Sequence, residues 1–367
     1  MSNIFSLQDT RDLFGEASHT DPDLYINDTI GRKLLKSRIA PAAYNREIMF
    51  TQMAKGETSI FIDFKAPLRS QPKSDNSHIS DILNSVSNSG IEHKIRTRVG
   101  RDYQWRYYTV QELIEKWQRQ KARINVTDLH LRDTTIEQTI NTRLLSEFNL
   151  LPNAPECLSW IEMMTLVISS AGGFSDSHSD DCDGSNYCFT GKKLWLAWET
   201  REGINAGLED LDRQMACGVP TTKKCAFDIE TFVTLPSAHW FTVEPGQTLF
   251  MPGHFTHKVI TLEPYLGVGS FYLAFPNILR TLSRWLVQKP NWEHLESRSL
   301  KGQLYTSIKS TCTRKLKTLS RAGTKTQEKW GLPFIGDSIE HWESRASATE
   351  IAAIREFGFH DILSLSS

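Results

Sequence analysis

Gly172-Gly-Phe-Ser-Asp-Ser-His-Ser-Asp-Asp-Cys-Asp-Gly-Ser-Asn-Tyr-Cys-Phe-Thr-Gly-Lys-Lys-Leu-Trp195 is a polar, glycine-punctuated stretch that runs straight into the apolar Lys193-Leu-Trp-Leu-Ala-Trp198. Within it, His178-Ser179-Asp180 sets an imidazole and a carboxylate two residues apart. In extended chain, residues i and i+2 point to one face, so the pair can share one metal ion. Gly191 predicts a turn, and a strand after it would align Lys193, Trp195 and Ala197 on one face. Lys193 lies 15 residues beyond His178.

The same rhythm continues on both sides. Trp160-Ile-Glu-Met-Met-Thr-Leu-Val-Ile168, Gln247-Thr-Leu-Phe-Met251 and Leu266-Gly-Val-Gly-Ser-Phe-Tyr-Leu-Ala-Phe275 are short apolar runs separated by Gly, Pro, Asp and Asn clusters. Over 158–275 this spacing predicts an all-β sandwich or barrel. Helical periodicity flanks it. Val110, Leu113, Ile114 and Trp117 follow Thr109 as a cap, and Ile278, Leu279, Leu282, Trp285 and Leu286 form a second stripe. Residues 1–50 are polar and partly helical, Ser59–Phe64 reads as a short strand, and the Ser/Asn-rich 69–100 reads as a long loop or lid. No internal repeat is present. The expected organisation is a mixed N-terminal region over 1–120, a β-barrel over 121–277 and a helical region over 278–367.

A His-x-Asp/Glu tripeptide alone carries little weight, because the chain has four, at His19, His178, His294 and His341. Context selects His178. Pro245-Gly-Gln-Thr-Leu-Phe-Met-Pro-Gly-His-Phe-Thr-His257 reads as turn, strand, turn and then histidine, and His257 lies 77 residues beyond Asp180. His254 competes on the same turn; the interval from Pro245-Gly246 favours His257. Two imidazoles and one carboxylate on one face make the arrangement that holds Fe(II) with open positions. A 2-oxo acid can chelate through two of these and dioxygen can take a third, while a lysine deeper in the barrel pairs with the far carboxylate.

Together these pieces resemble a JmjC domain, the cupin-type barrel of the Fe(II)/2-oxoglutarate oxygenases. The pieces are Ser175 three residues before His178, the His178-Ser-Asp180 pair, Gly191-Lys-Lys193-Leu-Trp195, Pro245-Gly-Gln-Thr-Leu-Phe-Met-Pro252, and His257 followed by Val259. They cover about a third of the chain. The resemblance implies an α+β protein with a mainly β core, a double-stranded β-helix (jelly-roll) barrel flanked by N- and C-terminal helices. It implies His178, Asp180 and His257 as iron ligands and the catalytic centre. Lys193 and Ser175 would bind the distal carboxylate of 2-oxoglutarate. Where the family often carries Asn a few residues after the pair, this chain has Gly184, with Asn186 two residues late; Tyr272 replaces a second Asn and could act as a donor. Fe(II), 2-oxoglutarate and O2 are the implied cofactor and cosubstrates. The implied activity is hydroxylation of a C–H bond in a peptide, protein side chain or amino acid, with succinate and CO2 as co-products. The short interval to Lys193 looks more like the hydroxylase branch than the demethylases. An N-methyl-lysine demethylase stays open as one alternative, and a silent barrel used as a binding module as another.

Substrate contacts are expected at Asp176, Asp181 and Trp195. Asp176, Asp181 and Asp183 would attract a cationic group, although an Asp-rich turn accounts for them as well, and Trp195 also suits core packing. With 42 basic and 43 acidic residues the net charge is -1, so bulk charge points to neither nucleic acid nor membrane. Residues 301–329 carry eight Lys or Arg against Glu328, as a solvated helix face or a nucleic-acid contact. Ile351, Ile354, Phe357 and Phe359 could make a homodimer contact. No apolar run has the roughly 18–20 residues of a membrane span, and the first residues do not read as a secretory signal. Six cysteines without a CxxC pair read as reduced thiols of an intracellular protein, cytoplasmic or nuclear. Cys217, Cys225 and His239 have no known zinc spacing.

Overall fold

Two long strands that bend at glycine and bulge positions organise the sheet. The computed structural model describes residues 5–62, 84, 95–99, 105–119, 123–130, 149, 164–180, 182–210, 225–288, 310, 311, 313–315 and 317–356. Among these the strands are β1 (Ala42–Ala43), β2 (Ser59–Ile62), β3 (Ile95–Val99), β4 (Trp105–Tyr108), β5 (Ile124–His130), β6 (Met164–Ser169), β7 (Phe174–Ser179), β8 (Asp183–Glu199), β9 (His239–Val243), β10 (Thr248–Met251) and β11 (Phe255–Tyr272). Hydrogen bonding runs in the order β1-β2-β10-β8-β11-β6-β5-β3-β4, with β7 added on β11 and β9 on β8. Only the β1–β2 pairing in this set is parallel.

Strands β8 and β11 each pass through two halves of the sheet. The first half of β8 lies between β10 and the end of β11; its second half lies between β9 and the start of β11. The start of β11 also pairs with β7, and its end with β6. Between Thr261 and Gly267 the register shifts three times. Opposite these shifts Gly191 has φ +83, and a Cβ there would stand 2.1 Å from the Pro264 carbonyl oxygen, so the bend requires glycine. The turn expected at Gly191 is thus a bend inside one continuous strand. Among the described residues the hydrogen-bonded order does not return on itself. The architecture is α+β, with one large, mostly antiparallel sheet and helices at both ends, a coarser description than the closed barrel expected from sequence.

Helices α1 (Leu7–Ser18), α2 (Asp28–Lys36) and α3 (Arg46–Lys55) begin at Ser6, Asn27 and Asn45, whose side chains accept backbone N–H bonds in the first turn. Thr109 caps α4 (Val110–Arg119) as expected, with Glu112 completing the reciprocal pair. Between α2 and α3 the chain docks on β9, where Ile39 N–H donates to the Trp240 carbonyl at 2.9 Å. Leu13, Phe14 and Leu34 then pack with Trp198, Phe232 and Trp240 on the outer side of β8 and β9. Helix α3 joins Phe61, Leu166, Val268 and Tyr272 on the outer side of the other half.

The expected stripe Ile278, Leu279, Leu282 and Trp285 is buried on α5 (Ile278–Gln288), against α6 (Ile335–Glu343) and α7 (Ala348–Glu356). Ile354 of α7 is fully buried in this cluster and Ile351 packs against it, so Ile354 is not available to a dimer partner; Phe357 and Phe359 lie outside the described residues. In the basic stretch, Lys315 Nζ sits 3.5 Å over the Trp330 ring. The segment 69–100 is outside the described residues apart from Asn84 and β3. Among the described residues no helix is long and apolar enough to cross a membrane.

Candidate metal centre

Directly opposed residues on neighbouring strands share a face. His178 on β7 faces His257 on β11, His257 faces Ala197 on β8, and Ala197 faces His239 on β9. One row across four strands therefore carries three imidazoles. In the next row Ser175 opposes Val259, which opposes Trp195, which opposes Phe241. From Ser175 to His178 is three steps along β7 but only two along β11. The extra β7 residue is a bulge, and it puts Ser175 and His178 on the same face although an odd number of steps separates them. Val259, Trp195, Phe241 and His257's neighbour Phe255 line one apolar cluster with Cys188, Leu249 and Tyr265 from the other half of the sheet.

His178, Asp180 and His257 can each present a ligand atom so that all three lie within 4.8 Å of one another. His257 Nε2 is 3.8 Å from Asp180 Oδ2, and the two imidazole centroids are 4.3 Å apart. His178 Nδ1 is 2.7 Å from the Asp176 carbonyl oxygen, and His257 Nδ1 is 3.1 Å from that of Phe255. A carbonyl only accepts, so each Nδ1 carries the proton and each Nε2 keeps its lone pair for a metal. Burial holds the His257 imidazole well below its ordinary pKa and His178 adds to this, with the Phe255 carbonyl opposing. Neutral imidazole is the ligating form. Burial raises the Asp180 carboxyl, and His178 opposes the rise. The Asp180 side chain is still 34% exposed, so the group opens to solvent on that side. The His254 N–H clamps Asp180 by donating to its carbonyl at 2.9 Å. His257 belongs to the group and His254 lies outside it.

Beneath the group, Trp195 lies 5.3 Å from the His257 ring and stacks on Phe241 at 6.1 Å, with His239 beyond at 6.0 Å from Phe241. The Trp195 indole N–H is buried with no hydrogen-bond partner among the described residues. Two rows deeper, Lys193 is 3% exposed and its Nζ stands 4.6 Å over the Tyr265 ring. Among the described residues that ammonium has no carboxylate partner. Burial pushes it down to about 7, with Cys188 opposing. Tyr265 donates its hydroxyl to Asn186 Oδ1, so Lys193, Tyr265 and Asn186 form one cluster.

Other expected residues are placed differently. Asp176 does not face the group. The bulge turns it to the outer side, where it is 3% exposed and 3.0 Å from Lys258 Nζ, and where the Cys225 and Ser177 N–H groups donate to it. Burial pushes its carboxyl up, but Lys258 and these donors outweigh that and hold it low. Lys258 is also 2.9 Å from Asp21, so Asp176 belongs to a buried ionic cluster and not to a substrate mouth. Asp183 is likewise internal, accepting from Gly253, Ala274 and Asn277. Tyr272 packs in the outer cluster with Phe61 and Val268 and donates to the Gly184 carbonyl at 3.2 Å, turned away from the cluster holding Lys193. Asp181 and Cys217 lie outside the described residues, and Cys225 is buried against Ser177.

Tyr265 is the residue that sequence reasoning did not single out. Its signal was Tyr265-Leu-Gly267. A Cβ on Gly267 would fall 2.7 Å from the Tyr265 ring, so that glycine makes the ring's room. No known family matches the chain, and no curated protein matches it. The geometry establishes a His-Asp-His group able to hold a metal ion, and with it the possibility of a metal-dependent activity.

Proposed function

We propose that this chain is a JmjC-type Fe(II)- and 2-oxoglutarate-dependent oxygenase that hydroxylates a C–H bond of a peptide, protein side chain or amino acid. The carrying observation is that His178, Asp180 and His257 each present a ligand atom within 4.8 Å of the others, with both Nδ1 atoms tied to carbonyls so that each Nε2 keeps its lone pair. That donor set fits a divalent iron, which takes imidazole and carboxylate on one face and leaves the opposite positions open. The passage of β8 and β11 through both halves of the sheet supports a double-stranded β-helix as the enclosing barrel.

With iron, 2-oxoglutarate and dioxygen bound, the site would supply an oxidant strong enough to insert oxygen into a C–H bond. The chain's own part is binding and orientation. His178, Asp180 and His257 would hold the metal. Lys193, a buried amine with no carboxylate partner among the described residues, would receive the distal carboxylate of the cosubstrate, where low polarity strengthens the pairing. Tyr265 steadies Asn186 beside it, and Ser175 lies on the same face as His178. Trp195 and Phe241 exclude water below the metal.

Anaerobic Mn(II) titration followed by electron paramagnetic resonance, paired with a separate succinate assay with Fe(II) in air, tests the reading. Wild type should bind one Mn(II) and convert 2-oxoglutarate to succinate, with both lost in His178→Ala and Asp180→Ala. A wild type that binds neither metal nor cosubstrate sinks it in favour of a silent barrel, and formaldehyde released from methylated peptides moves it to a demethylase.

A further inference from the structure

Behind the metal group, a cavity of about 290 Å³ lies between α3, the turn at His254 and the C-terminal helices. His254 and Phe255 form the shared wall: the first donates its N–H to Asp180, and the second accepts from His257 Nδ1. Three carboxylates line the cavity, and all are committed. Glu199 holds Arg284 at 2.6 Å, Glu350 holds Arg201 at 2.6 Å, and Glu202 accepts from Ser237. Three cations line it without any carboxylate in ion-pair range among the described residues: Arg280, Lys55 and Arg345. Gly56, at φ +68, makes room for the Arg280 guanidinium, since a Cβ there would stand 2.3 Å from its Cζ.

His254 supplies the second observation. It is 5% exposed, its ring bonds to the Thr281 backbone through one nitrogen, and Nε2 is buried with no partner among the described residues. A buried acceptor without a partner, beside cations that no carboxylate meets in ion-pair range among the described residues, calls for an anion that also carries a proton. Carboxylates and sulfate carry none near neutrality; a phosphate group can. The cavity adjoins a larger cleft of about 560 Å³, sharing Gly56, Glu202, Phe255 and Arg345 with it. There Thr58 Oγ1 and His239 Nε2 are also buried without partners. A phosphate at the small end leaves room for a polar organic group at the large end.

We propose that this cavity binds a phosphate group, its charge met by Arg280, Lys55 and Arg345 and its remaining proton donated to Nε2 of His254. The site needs neither iron nor 2-oxoglutarate, so it goes beyond the oxygenase reading and stands or falls separately.

Isothermal titration of the full, metal-stripped chain with inorganic phosphate tests it, at about pH 6.5, where the phosphate ion still carries a proton to donate. Binding should saturate, weaken about tenfold or more in Arg280→Gln and in the double variant Lys55→Gln/Arg345→Gln, and persist in His178→Ala. Sulfate should bind about tenfold more weakly than phosphate, for want of the proton. Arg280 also contacts Asn277 and His341, so the surface double variant decides the matter if Arg280→Gln does not fold. A phosphoserine peptide run beside glycerol 3-phosphate shows whether the group arrives on a protein or on a small molecule, and tight binding of either supports the site. No saturation by phosphate, equal binding of sulfate, or binding unchanged in the folded variants overturns it.

Discussion

A buried ammonium titrates low because water no longer solvates its charge, and Lys193 shows this with a pKa of about 7. Unfolded, the same group holds its proton up to the ordinary value of about 10.4. Between these two values the unfolded chain binds more protons, so this residue's contribution makes the free protein more stable as pH rises. Carboxylate binding needs the charged form, so it responds in the opposite sense. Affinity for 2-oxoglutarate should fall by up to about tenfold per pH unit above 7, and Lys193→Met should lose both trends. Calorimetric titration and thermal melts across that range check the pair of slopes. At this scale the sequence was legible wherever two residues kept a simple spacing on one face, as with His178 and Asp180. It misled where a bulge changed the parity. Asp176 is two residues from His178 yet faces Lys258 on the other side, and Tyr265 lies among three register shifts that no spacing rule crosses.

Strand β7 carries the first ligand, and what fixes β7 is ionic. Lys258 Nζ stands 3.0 Å from Asp176 and 2.9 Å from Asp21, with all three residues nearly inaccessible. The Asp176 carbonyl in turn holds the His178 imidazole. Replacing Lys258 by Met leaves two buried carboxylates facing each other, and this should cost about 3–5 kcal/mol in urea unfolding. The same variant should bind Mn(II) more weakly, although it alters no ligand; unchanged metal affinity would uncouple the ionic cluster from the metal group. Element existence was readable from apolar rhythm, and the Thr109 cap and the stripe at Ile278 were read correctly. Strand lengths were not, because Gly191 looks like a chain reversal in sequence, whereas paired bends at Gly191 and Glu263-Pro264 carry β8 and β11 onward.

For the whole molecule, apolar clusters on both outer sides of the sheet and at the C-terminal helices surround the one that underlies the metal group. The order of strands was not legible. It depends on which faces these clusters cover and on the docking of the 37–43 segment along β9 and β2, neither of which leaves a local pattern. The metal group ties β7, β11 and the turn after β7 together, so a ligand that bridges them should stabilise the fold as a unit. Mn(II) with 2-oxoglutarate at 100 times its dissociation constant should add about 2.7 kcal/mol. Differential scanning calorimetry should show the melting temperature raised by several degrees in wild type and unmoved in Asp180→Ala.

The stack of Trp195 on Phe241 and against His257 has an optical consequence. A paramagnetic ion seated on His257 Nε2 would lie near an indole whose ring is already 5.3 Å from that imidazole. Excited indole loses its energy readily to such a neighbour. Filling the centre should therefore dim the ultraviolet emission of the protein, and Trp195→Phe should abolish most of that response while leaving the other tryptophans glowing.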